Sequence, residues 1–140
     1  MRKIDKKMKD FILDCTKKAA WNIGVSHYIV DYFYIKEPRQ ADYENGDTDS
    51  VSFTLASINT DKRYLKCNLK IYPKFEEKWR AGEREELKNC IHHEVAHIAT
   101  QHLFDCAVSR YCEVGEMKDA WETLTEMIGR LSLKVDELQK

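Results

Sequence analysis

Apolar residues at Ile4, Met8, Phe11, Ile12, Cys15, Ala19 and Ala20 recur at helical spacing between lysine-rich positions up to Gly24. This predicts an amphipathic N-terminal helix that lays one face on a sheet and leaves its lysines solvated. From Val25 to Ile35 the texture changes to β-branched and aromatic residues, the signature of a strand. Glu37 to Ser50 is polar and holds Pro38 and Asn45-Gly46, which marks a loop. A second strand is predicted over Val51 to Ile58, a turn at Asn59-Thr60-Asp61-Lys62, and a third strand over Tyr64 to Tyr72. In that third strand Tyr64, Lys66, Asn68 and Lys70 alternate with Leu65, Cys67, Leu69 and Ile71, so one face is buried and the other wet.

Helical spacing then returns. Phe75 to Arg80 fits a short helical turn before Gly82, and the acids Glu83, Glu85 and Glu86 suit the positive end of a long helix. Leu87, Ile91, Val95 and Ile98 form its core stripe. Phe104 to Gly115 reads as a connection. A last helix is predicted from about Glu116 to Leu138, with Met117, Trp121, Leu124, Ile128, Leu131, Val135 and Leu138 as its core face. The expected architecture is α+β: a helix, a small antiparallel or mixed sheet of about three strands, and two long helices packed on it.

Composition narrows the classes. A chain of 140 residues with 43% hydrophobic residues makes one domain, residues 1–140, with a real core. Its net charge of -1 supplies no field for nucleic acid or an anionic membrane, so neither is an expected partner. The opening residues are charged where a signal peptide needs an apolar run, and no stretch approaches eighteen apolar residues. A soluble, cytoplasmic protein is expected. Cys15, Cys67, Cys90, Cys106 and Cys112 have irregular spacing and no Cys-x-x-Cys pair, so each reads as a reduced thiol, with Cys106 and Cys112 weak metal candidates.

Candidate chemistry sits in the long helix, at His93-Glu94-Val95-Ala96-His97. Residues four apart share a helix face, so both imidazoles can grip one divalent ion, while Glu94 reaches a water activated there. Random placement of the same residues would produce this pattern in roughly 2% of shuffled chains, so the helical context carries the assignment. Catalytic zinc takes three protein ligands. His92 lies about a quarter turn from His93, and His102 is turned off the face unless the helix breaks. Asp105 would need a sharp bend after Leu103, and His27 reads as structural or exposed. On the last helix, Glu122 and Glu126 lie one turn apart beside the apolar stripe. They are either solvated acids paired with lysines or, if the two helices pack together, a ligand (Glu122) and a support for a histidine ring (Glu126).

With this order of elements, the His-Glu-x-x-His helix and Glu122-Thr-Leu-Thr-Glu126 on the next helix, the chain resembles compact gluzincin-type zincin metallopeptidases. It is similar to the small minigluzincins and, more loosely, to the ImmA/IrrE-like peptidases of mobile elements. Only the five-residue motif is specific. The resemblance implies a zincin-like fold, a third ligand on the following helix at Glu122, and an acid four residues later at Glu126. Metzincins are not matched, since Thr100 and Leu103 occupy the positions of their Gly and third His. The chain has no clear counterpart of the His or Tyr with which many gluzincins steady the oxyanion, and Tyr111 and His102 are the candidates for that role.

The reading is a zinc-dependent endopeptidase acting on a peptide or protein laid along a sheet edge, with Glu94 as general base. The alternative is a metal-stabilised regulatory or interaction protein on the same scaffold with little turnover.

Overall fold

The computed structural model describes residues 3–40, 53–61, 64–108 and 114–139. Among them the chain is α+β, with four helices and a three-stranded mixed sheet. Helix α1 (Lys6–Asn22) starts where the Asp5 carboxylate accepts the Lys7 amide at 2.8 Å, and stops at Gly24, whose φ of 79° is open to a residue without a Cβ. Its buried face is Met8, Ile12, Cys15 and Ala19, as the spacing predicts.

Strands β1 (Ile29–Tyr34), β2 (Ala56–Asp61) and β3 (Lys66–Ile71) lie in the order β1-β3-β2, with β1 parallel and β2 antiparallel to β3. The alternation in β3 holds: Cys67, Leu69 and Ile71 are buried and Lys66 and Asn68 exposed. Three strand boundaries differ from expectation. The first strand begins at Ile29, since the Tyr28 amide turns back onto the Val25 carbonyl. The second begins at Ala56 and runs through Asn59, Thr60 and Asp61, where a turn was expected. Pairing of those three with Asn68, Cys67 and Lys66 outweighs their turn propensity. Upstream, Phe53 makes an isolated bridge to Gln40, while residues 41–52, most of the expected loop and the expected start of β2, fall outside the described residues.

Helix α2 (Pro73–Arg80) opens on Pro73 in its first turn, where a missing amide hydrogen costs nothing. Helix α3 (Arg84–Val108) buries Leu87, Ile91, Val95 and Ile98 against the sheet and α1. It continues through the expected connection at Phe104, whose ring stacks on Trp121 with centroids 4.1 Å apart. The sharp bend that would aim Asp105 at the motif is therefore absent.

Helix α4 (Val114–Leu138) packs along α3 by a face that keeps Trp121 of the expected stripe but is otherwise rotated from it. Thr125, Ser132 and Asp136 are buried, while Leu131 is 59% and Leu138 85% exposed. The partner surface decides this. The side of α3 toward α4 carries His92, His93 and His97, and α4 meets those imidazoles with hydroxyls and carboxylates. Gly129 lets the backbones close: a Cβ there would lie 3.2 Å from the His93 Cα and 3.3 Å from the His92 carbonyl oxygen. A buried Lys88–Asp136 ion pair at 3.0 Å ties the same two helices further along.

Candidate metal centre

His93 and His97 project from one face of α3, with ring centroids 4.9 Å apart and planes nearly perpendicular. Glu122, from α4, spans them. Its Oε2 is 3.1 Å from His93 Nε2 and its Oε1 is 3.4 Å from His97 Nε2. The same two nitrogens that face this carboxylate are the ones a helical His-x-x-x-His pair offers an ion. Glu126, one turn on, accepts from His93 Nδ1 at 2.5 Å and is held by the Arg130 guanidinium at 3.0 Å. His97 Nδ1 instead meets the Thr125 hydroxyl at 3.3 Å.

Glu94, beside the two imidazoles, also reaches the sheet. Its carboxylate accepts the backbone amide of Ile58, in the edge strand β2. His93, Glu94 and His97 each offer a ligand atom within 4.8 Å of the others, so these three can share an ion. Glu122 lies outside that mutual distance but touches both imidazoles, so two carboxylates, Glu94 and Glu122, border the histidine pair. The donor set of two imidazoles and a carboxylate suits zinc.

Electrostatics divide the four groups. Burial disfavours the imidazolium of His93, but hydrogen bonds to Glu122 and Glu126 and the nearby Glu94 charge outweigh it and raise its pKa to about 9. Burial lowers His97 to about 4, so it is neutral at pH 7. Hydrogen bonding to His93 holds Glu122 below the ordinary carboxylate range. Burial, reinforced by the Glu122 charge, pushes Glu94 up to about 8, poised between acid and base near neutrality. Without an ion, the His93 imidazolium gives one N–H to Glu126 and the other to Glu122 and offsets part of their charge; a cation there would take over that task.

An open cavity of about 490 Å³, lined by His93, Glu122, Thr123, Glu126, Met127 and Arg130, leads to this cluster. Of the residues expected at the site, the fold brings together His93, Glu94, His97, Glu122 and Glu126. Tyr111 falls outside the described residues, as does the side chain of His102, which sits in the unbroken part of α3. His92 is fully buried and turns to Ser132 Oγ at 2.8 Å, away from the cluster, and His27 is exposed. Cys15 and Cys67 are buried free thiols, and the side chains of Cys106 and Cys112 fall outside the described residues. Sequence reasoning missed Thr125, Thr100, Gly129 and the Ile58 amide. Thr125 stands three residues after Glu122, on the same helix face, and that spacing was the one available signal.

No family model, no curated protein and no solved structure matches this chain. No helix among the described residues is long and apolar enough to cross a membrane.

Proposed function

We propose that this chain is a zinc-dependent peptidase of the gluzincin kind, with a zincin-like fold, in which His93, His97 and Glu122 hold the metal and Glu94 is the general base. The observation that carries the reading is Glu122, 25 residues past His97 and on the next helix, lying across the Nε2 atoms of both motif histidines. Zinc in this position supplies Lewis acidity to a water and to the scissile carbonyl. Glu94 would take the water's proton and pass it to the leaving amine, its ionised form, which burial alone disfavours, being favoured by the adjacent cation. Glu126 keeps the His93 ring oriented through Nδ1. The substrate is a peptide or protein, laid as an added strand beside the edge strand β2, whose Ile58 already presents its amide toward Glu94. The test is zinc content together with cleavage of an unstructured protein by the parent and by Glu94→Gln. Zinc in both and cleavage by the parent alone supports the enzyme.

A second reading rests on the Glu94–Ile58 contact, which also ties α3 to the sheet edge. Under it the chain is a metal-stabilised regulatory or interaction protein with little turnover. Zinc-dependent stability without cleavage of any tested substrate favours that reading.

A further inference from the structure

His93 and His97 are supported in chemically different ways. His93 Nδ1 faces a carboxylate, Glu126, which can only accept. His97 Nδ1 faces a hydroxyl, Thr125 Oγ1, which can donate or accept. An imidazole can offer Nε2 to an ion only when its single proton is on Nδ1. The polarity of the Thr125 hydroxyl therefore decides whether His97 is ready to bind.

The neighbours of Thr125 set that polarity. Trp121 Nε1 can only donate, and it donates to Thr100 Oγ1 at 2.7 Å. Thr100 sits within α3, where its hydroxyl reaches back to the Ala96 and His97 carbonyls, both at 3.4 Å, the usual outlet for a helical threonine proton. With its proton spent there, Thr100 has a second lone pair for the Thr125 hydroxyl, 2.8 Å away. Thr125 then has lone pairs left for an N–H, and His97 Nδ1 is the group in reach. The reversed chain, Thr100 to Thr125 to Nδ1, would put the His97 proton on Nε2. There the facing oxygen, Glu122 Oε1, is 3.4 Å away, longer than an imidazole-to-carboxylate hydrogen bond of about 2.8 Å. The forward chain gives every proton in this cluster a hydrogen-bond acceptor, that of Thr100 through long 3.4 Å contacts within its own helix, while in the reversed one the imidazole proton meets Glu122 only as an ion-pair contact.

We propose that Thr125, oriented by Thr100 and Trp121, is a positioning residue that fixes His97 as the Nδ1–H tautomer and leaves its Nε2 lone pair facing Glu122 for the ion. The inference rests on the metal reading above. It assigns to hydroxyls on α3 and α4 the task that a carboxylate performs for His93.

Two measurements on the full chain test it. The first is nitrogen-15 NMR of the metal-free protein near pH 7, which should show His97 protonated on Nδ1; protonation on Nε2 overturns the proposal without any variant. The second is a zinc titration against a competing chelator. Thr125→Val should raise the zinc dissociation constant about 10-fold or more, and Thr125→Ser, which restores a hydroxyl, should recover most of it. Equal affinity in parent and Thr125→Val overturns the proposal while leaving the metal site standing. No zinc uptake by the parent overturns the metal reading and this inference with it.

Discussion

Glu122 Oε2 lies 3.1 Å from His93 Nε2, so an acid on α4 is paired with a motif imidazole on α3 before any ion is considered. The contact places a negative oxygen at the point where the lone pairs of His93 and His97 converge. It makes α4, rather than a residue near the motif in sequence, the source of the third ligand in the proposed zinc site.

Removing this oxygen should cost more than removing its neighbour. Glu122→Ala deletes a bond to the ion, whereas Glu126→Ala leaves the ligand set whole and lets the His93 ring turn, a loss that typically weakens metal binding about 10–100-fold. Zinc titration of both variants should rank them in that order. The opposite ranking would transfer the ligand role to Glu126.

Stoichiometry follows from the pair of imidazoles. The purified chain is expected to carry about one zinc, and the double variant His93→Ala, His97→Ala none. Full occupancy of the double variant, by elemental analysis, would place the metal elsewhere.

At Glu94, amide for carboxylate keeps the shape and removes the base. Glu94→Gln should lose most of any peptidase activity while keeping zinc. Its melting temperature in the metal-free state should not fall, because the buried carboxylate is itself costly to ionise, as its pKa of about 8 records. Cleavage at the parent's rate would remove Glu94 from the role of base.

His92 makes the metal-free fold acid-sensitive. Burial holds its pKa near 4, against 6.5 for a free imidazole. Above pH 6.5 the ring is neutral whether folded or unfolded, and it contributes no pH dependence. Between 6.5 and 4 the unfolded chain takes up a proton that the folded chain refuses, so stability falls with pH across that window, by up to about 3 kcal/mol. Chemical denaturation at pH 7 and pH 5 should show the loss in the parent and a smaller one in His92→Gln. An equal loss in both would assign the acid sensitivity to other groups.

Gly129 sets how near α4 comes to the motif. A methyl group there meets His93 Cα, His93 N and the His92 carbonyl oxygen, all backbone atoms that can retreat only with the helix. Gly129→Ala should therefore lower stability by about 1–3 kcal/mol despite the better helix propensity of alanine. Leu131→Ala, on the exposed face of the same helix, should cost well under that amount. A more stable Gly129→Ala would show that the two helices separate without strain.

The sequence by itself determined what local periodicity can encode. The buried stripe Leu87, Ile91, Val95 and Ile98, the α1 face and the alternation in β3 all appear as spaced, because 3.6- and 2-residue periods directly dictate which side of an element is apolar. Two imidazoles four residues apart must share a helix face, so His93 and His97 were legible as a pair, and Glu122 and Glu126 as acids one turn apart. What only the tertiary structure decided is which surfaces meet. The apolar residues Leu131 and Leu138 of α4 stay exposed while Thr125 and Ser132 are buried, since the face of α3 they meet is lined with histidines that need hydrogen-bond partners. Asn59 to Asp61 became strand because β3 offered pairing partners. The Ile58 amide reached Glu94, and Gly129 reached the His93 backbone, across gaps in the chain that no spacing rule spans. Periodicity specifies a face and its polarity; the choice of partner for that face depends on the packing of the whole chain.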